Sequence, residues 1–543
     1  MNIKRAKQEI KDTIQAYLRK DDYGAYVIPR IRQRPILLIG PPGVGKTQIM
    51  EQISQECQIG LAAYTITHHT RQSAIGLPFI ERRQFGGKEY SATEYTMSEI
   101  VASVYEKMER TGLDEGILFI DEINCVSETL APAMLQFLQG KCFGNHQIPE
   151  GWIIVAAGNP PEYNKSVREF DIVTLDRIRR IDVEPDFDAW KEYAVQANIH
   201  PAVGAYLNVR QQNFCRIETT VDGKLFVTPR GWEDLSWILS VYDQMGMDVD
   251  REIVSEYVQF PKIARDFAGY LELYRKYQSD YQVERILEGQ TPKGVYEKLE
   301  RALFDERVSL VGLLLSGLNQ RLRRVCRMGE RMELQQKELQ KLGKEDVFKT
   351  EENGHMETAG AALSAFSRMT DDFRSRWEKQ QENGLLSRGG LKTCRDVSAG
   401  LERLFLTLQK EEYKTAEEVW KKIQELYGEE SDQYEELLEK AGQGLEHAFD
   451  FMEAAFGTGQ EMVLFVTELN TGFYSVGFLQ EYECERYYQY NRNLLFSEEE
   501  KEIGRQLENG REELYDGYDD GNHRTKAGRA AAGQAGFGTQ LDS

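Results

Sequence analysis

Cysteine is sparse and unpatterned in this chain. Cys57, Cys125, Cys142, Cys215, Cys326, Cys394 and Cys484 are the seven, an odd number with no CxxC pair among 543 residues. An odd, scattered set suits neither a disulfide framework nor a zinc site, so reduced cysteines are expected. Long apolar runs are missing too. The longest, LVGLLL at 310–315, falls far below the ~18 residues of a membrane span. The opening stretch, MNIKRAKQEIKDTIQAYLRK, has basic residues but no apolar core and no cleavage site. That gives no secretion signal, and a cytoplasmic protein is expected. Basic charge is in deficit, with 67 Lys and Arg against 89 Asp and Glu and a formal net charge of -22. Binding a phosphate backbone calls for basic surface, so the balance argues against a dominant nucleic-acid role. No internal repeat is visible.

The length suggests three or four domains at ~150 residues each. Chemistry concentrates in the first half. In PILLIGPPGVGKTQIM (35–50) an apolar run, Ile36 to Ile39, suits a buried parallel strand. Gly40, Pro41, Pro42, Gly43, Val44, Gly45, Lys46 and Thr47 then fit GxxxxGK[ST], and helix-compatible sequence starting at Gln48 follows. Glycines let backbone N–H groups turn inward around a phosphate. Lys46 would reach the β- and γ-phosphates, and Thr47 would hold Mg²⁺. A second apolar strand, in ILFIDEIN (117–124), delivers Asp121 and Glu122 at its end. Asp121 suits the Mg²⁺ shell, and Glu122 suits a general base polarising water. A third, in IIVAAGNPPEY (153–163), ends in Asn159, whose amide could hold that water. In TPRGWEDLS (228–236) Thr228 and Pro229 read as a helix start that carries Arg230 towards the γ-phosphate. TLDRIRRI (174–181) crowds Arg177, Arg179 and Arg180 together.

The order of these motifs resembles that of the AAA+ ATPases, and within them the MoxR and dynein-related branch. The carrying residues are GPPGVGKT (40–47), FIDEIN (119–124), LQFLQGKCFGNHQIPEGWIIVAAGNPPE (135–162), LDR (175–177) and TPRGWEDL (228–235), a little under half the chain. The resemblance implies ATP and Mg²⁺ as ligands, held by residues 40–48 with Thr47 and Asp121 on the metal. It makes Glu122, Asn159, Arg177 and Arg230 the catalytic set. Arg177 matches the position of the arginine finger, which completes a neighbouring subunit's site, and a homo-hexameric ring follows. Arg168, Arg179 and Arg180 are further candidates for that role. Residues 76–98 and 141–152 sit where the family has pore-facing hairpins, and ATP over GTP would be set by backbone near 25–30. Ser73 and Ala74 stand where many relatives carry an acidic residue. Relatives act as chaperone-like machines, often with a von Willebrand factor A domain partner. A nucleic-acid motor and a non-catalytic nucleotide sensor are the alternatives. The sensor would call for a damaged Glu122, Asn159 or Arg177, and all three are present. His68 and His69, adjacent with no spaced carboxylate, make a poor metal site.

The expected fold is an α/β P-loop NTPase core, a parallel sheet sandwiched by helices, followed by a helical lid and a large all-α C-terminal region. The expected division is 1–183 for the core with its N-terminal helix and 184–280 for the lid carrying Arg230. Residues 281–508 would be a helical region docking a partner or substrate, and 509–543 a disordered tail rich in Gly and Ala.

Overall fold

The computed structural model describes residues 1–492 except 68–70, 164–166, 168–169, 222 and 349–357. His68, His69, Arg168 and the expected tail therefore lie outside the described residues. The apolar runs do form strands. β1 (Ile36–Ile39), β2 (Gly60–Thr65), β3 (Gly116–Asp121), β4 (Trp152–Gly158) and β5 (Arg179–Asp182) build one sheet in the order β2-β3-β4-β1-β5. Every neighbouring pair is parallel. β1 is flanked by β4 and β5, so the chain leaving Ile39 emerges at the carboxyl edge of an interior strand, and carboxyl edges are where open α/β sheets bind ligands.

Side chains alternate between two covered faces. Ile36, Leu38, Phe119 and Val155 pack under α1 (Ile3–Leu18) and α2 (Lys46–Cys57), against Ala6, Ile10, Ile14, Ile49 and Ile53. Leu37, Leu118, Ile120 and Ile154 face the other way, against α3 (Glu99–Thr111) and α4 (Ala131–Gly140). Both faces are buried, which is why the strands read as unbroken apolar runs. α3 begins at Ser98, whose hydroxyl accepts the Val101 N–H at 3.3 Å, a cap worth about 1 kcal/mol.

Two hairpins interrupt this core. Pro78–Phe85 pairs with Lys88–Tyr95 around Gly86 and Gly87, and Cys142–Phe143 pairs with His146–Gln147. They touch. Asn145 Nδ2 donates to Glu94 Oε2 at 2.5 Å, and His146 Nε2 lies 3.0 Å from the Tyr95 carbonyl.

After β5 the chain turns helical: α5 (Phe187–Ala197), α6 (Pro201–Val209), α7 (Pro229–Met245) and α8 (Pro261–Tyr281). A hairpin of Arg216–Thr220 with Gly223–Val227 stands among them. It was not expected in a stretch read as all helix, although RIETT and GKLFV carry strand-type alternation. Two long antiparallel helices, α9 (Phe304–Leu342) and α10 (Ala416–Phe456), extend from the lid. Their direction follows from Arg331 meeting Glu430 at 2.9 Å while Gly444 lies against Arg321. At ~1.5 Å per residue each runs roughly 60 Å.

One buried cluster joins Trp232, Phe267 and Leu271 of the lid to Leu310, Leu314, Phe449 and Phe465 of the C-terminal region. A second, at the far end of the long helices, gathers Leu339, Phe366, Leu401 and Val419. In the described part of the tyrosine-rich stretch 477–496, Tyr487 is buried and Tyr482 and Tyr490 pack against the first cluster, while Tyr488 is exposed. Among the described residues no single helix is long and apolar enough to cross a membrane.

Candidate functional site

The segment between β1 and α2 is built around two glycines with left-handed backbone, Gly43 (φ 80°) and Gly45 (φ 90°). A side chain there would be strained. At Gly43 it would also be crowded, because a Cβ would come within 3.1 Å of the Arg230 Cβ and 3.3 Å of Thr228. The first turn of α7 therefore lies directly on the loop. Thr228 caps that helix, accepting the Gly231 N–H at 3.2 Å, and Pro229 opens it.

Lys46 is 8% exposed. Its ammonium donates to the carbonyls of Gly40 and Pro41, both at 2.8 Å, and to Asn159 Oδ1 at 3.0 Å. Burial pushes its pKa down to about 8; Asp121 and Glu122 pull it up, while Arg230 pushes the same way as burial. Thr47 Oγ1 donates to Asp121 Oδ2 at 3.0 Å. Glu122 follows in a left-handed conformation (φ 57°, ψ 34°), its N–H bonded to Asp121 Oδ1 at 2.9 Å. A non-glycine residue there is uncommon, and such backbone concentrates at functional sites. Lys46, Thr47, Asp121 and Asn159, spread over more than a hundred positions, thus meet at the carboxyl ends of β1, β3 and β4.

Asn124 lies in the same FIDEIN stretch, with no motif role of its own. It is buried, and its Nδ2 donates to the Asn159 carbonyl at 2.8 Å. A Cβ on Gly158 would sit 2.4 Å from its Oδ1. It braces the turn that presents Asn159. The only sequence signal was an amide following Asp-Glu.

Around Gln48 a cavity of about 290 Å³ opens between α1, the loop and the lid, lined by Ile3, Lys7, Gly45, Gln48, Tyr193 and Glu233 among others. The segment 25–30 lies elsewhere. Tyr26 bonds Glu115, which precedes β3, at 3.0 Å, and Arg30 bonds the Lys141 carbonyl at 2.7 Å. Those contacts place 25–30 at the amino edge of the parallel sheet, opposite the glycine loop. The expectation that this segment contacts the base is corrected: α1, anchored by Ala6, Ile10 and Ile14, occupies the flank beside the loop.

The arginines of TLDRIRRI part company. Arg179 is tied inside its own chain, to Glu9 at 2.5 Å and to Thr13, both on α1. Arg180 bonds Asp182 at 2.9 Å. Arg177 is exposed and donates to Gln139 at the end of α4. It does not line the cavity at Gln48. Among the described residues no cluster of three or more His, Cys, Asp and Glu could hold a metal; at the loop, the Thr47–Asp121 pair places a hydroxyl and a carboxylate oxygen side by side.

Residues 36–175 match the family described as ATPase family associated with various cellular activities (AAA). The match runs from β1 to the turn before Arg177 and leaves β5, the lid and the long helices outside it. No curated protein matches the chain. One similar solved structure is a candidate ATPase from Cytophaga hutchinsonii ATCC 33406, 18% identical, covering 34% of this chain and 51% of that one at a TM-score of 0.20. The chain thus spans about half the length of that protein, and a likeness so low carries no argument.

Proposed function

We propose that this AAA protein hydrolyses ATP with Mg²⁺, as a ring of the MoxR type that remodels or matures a protein client. One observation carries the reading: Lys46, the Thr47–Asp121 pair and Asn159 converge at one sheet edge, with the first turn of α7 seated on Gly43. In this reading the loop amides and Lys46 bind the β- and γ-phosphates. Lys46 already bridges the loop carbonyls and Asn159, so a phosphate oxygen arriving there competes for a donor held in place. Thr47 hydroxyl and Asp121 carboxylate are hard oxygen donors, which suit Mg²⁺. The ion, when bound, neutralises charge that develops on the phosphate oxygens. Glu122 takes the proton from the attacking water, and Asn159 orients that water. Arg230 approaches from the lid of the same chain. Arg177, exposed and outside its own cavity, is available to a neighbouring subunit, which fits a finger acting in trans.

The hairpins joined through Asn145 and Glu94 would face the client, and a von Willebrand factor A domain protein is the proposed partner. The test of the nucleotide reading is ATP binding and phosphate release by the full chain with Mg²⁺. The wild type should do both, and Lys46→Ala should lose binding by at least tenfold. Equal binding by the two proteins would overturn the reading.

A further inference from the structure

Three elements meet at the hydroxyl of Tyr193, a residue that the motifs did not touch. Tyr193 lies on α5, the first helix of the lid. Its hydroxyl donates to Glu233 Oε1 at 2.7 Å and accepts from Gln48 Nε2 at 3.3 Å. Glu233 belongs to α7, three residues after Arg230, and so shares a helix face with it. Gln48 belongs to the first turn of α2, next to Thr47. The bond from Gln48 crosses from the core to the lid; the bond to Glu233 ties two lid helices together. Burial of the ring, with Glu233 second, raises the phenol's pKa, and the Gln48 bond and then the Arg388 charge partly oppose this. The hydroxyl therefore stays a donor throughout the physiological range.

The geometry leaves α7 little freedom. One side of its first turn is stopped by Gly43, where the Arg230 and Thr228 side chains already lie at contact distance from the space a Cβ would take. One turn further on, Glu233 is held through Tyr193 to Gln48. Two points fix the direction of a helix start, and Arg230 lies between them. We propose that Tyr193 is a positioning residue, whose hydroxyl locks the lid to α2 and sets where Arg230 meets the phosphates. The proposal rests on the ATPase reading above.

A double-mutant cycle tests it. Tyr193→Phe keeps the ring and removes the hydroxyl. Its kcat for ATP should fall five- to tenfold, while thermal unfolding stays within a few degrees of the wild type. In an Arg230→Ala background the same change should cost less than twofold, because the group being positioned is gone. Gln48→Ala, on an exposed side chain, should repeat the pattern and stands in should Tyr193→Phe fold poorly. Either change leaving kcat within twofold, or losing the same factor with and without Arg230, overturns the proposal. Lys46→Ala and Glu122→Gln run alongside. If they abolish hydrolysis while Tyr193→Phe does not lower it, Tyr193 alone is misassigned. If they leave hydrolysis intact, the ATPase reading itself has failed.

Discussion

The ammonium of Lys46 lies 3.0 Å from the side-chain oxygen of Asn159, although 113 residues separate them. The contact joins the end of β1 to the end of β4 and holds the lysine inside a pocket that lowers its pKa to about 8. A bound triphosphate favours the charged amine and raises that pKa again. Below pH 8 the lysine is already charged and affinity should be flat. Above pH 8 binding takes up a proton, and affinity should fall by up to about tenfold per pH unit. Titration calorimetry with Mg-ATP at pH 7, 8 and 9 checks this. A dissociation constant unchanged from pH 7 to 9 would show that Lys46 does not titrate with binding.

Arg177 and Glu122 should complement each other between subunits. Arg177→Ala should lower kcat by about 10³-fold, as loss of an arginine finger does, and Glu122→Gln should be equally inactive. Mixed, they should recover activity, since a site with intact Glu122 can take Arg177 from its neighbour. Specific activity of the wild type should rise with protein concentration. A mixture as inactive as its parts, with a concentration-independent wild-type rate, would place the finger elsewhere.

The buried cluster that joins Trp232 and Leu271 to Leu314 and Phe449 crosses residue 280. A chain cut there would expose a broad apolar face of the lid. Residues 1–280 alone should elute as aggregates on size exclusion and bind a hydrophobic dye, whereas the full chain should not. A soluble, ATP-binding fragment would mean that the lid stands without its extension.

Asn124 should matter beyond its small size. Asn124→Ala removes the bond to the part-buried Asn159 carbonyl, a cost of about 1 kcal/mol. Chemical denaturation should report a loss of that size, and kcat should drop with it. Stability and kcat both at the wild-type level would remove Asn124 from the site.

The sheet and glycine loop were legible because their physics is local. ILLI, GILFID and WIIVAAG are buried on both faces, so they read as apolar runs without an alignment. β5 was harder, since RRID is an edge strand whose Arg179 is explained by Glu9 and Thr13 on α1, far earlier in the chain. The hairpin 216–227 was hidden among helices by the aromatic residues around it. The flank beside the loop was misjudged for the same reason that Tyr193 was missed. Which helix covers a sheet edge, and which hydroxyl ends beside Gln48, depend on tertiary packing that no spacing rule encodes. Arg177 was singled out by its motif alone; the fold adds that it is exposed and bonded to Gln139.

The most direct measurement is phosphate release by Glu122→Gln beside the wild type, at saturating Mg-ATP and with nucleotide binding recorded on the same samples. The wild type should turn over. Glu122→Gln should bind ATP with an affinity within a few-fold of the wild type and release at least a hundredfold less phosphate, as expected for loss of a general base. Release by Glu122→Gln at the wild-type rate would contradict the assignment of the β3 carboxylates, and with it the central claim that this sheet edge is an ATPase site.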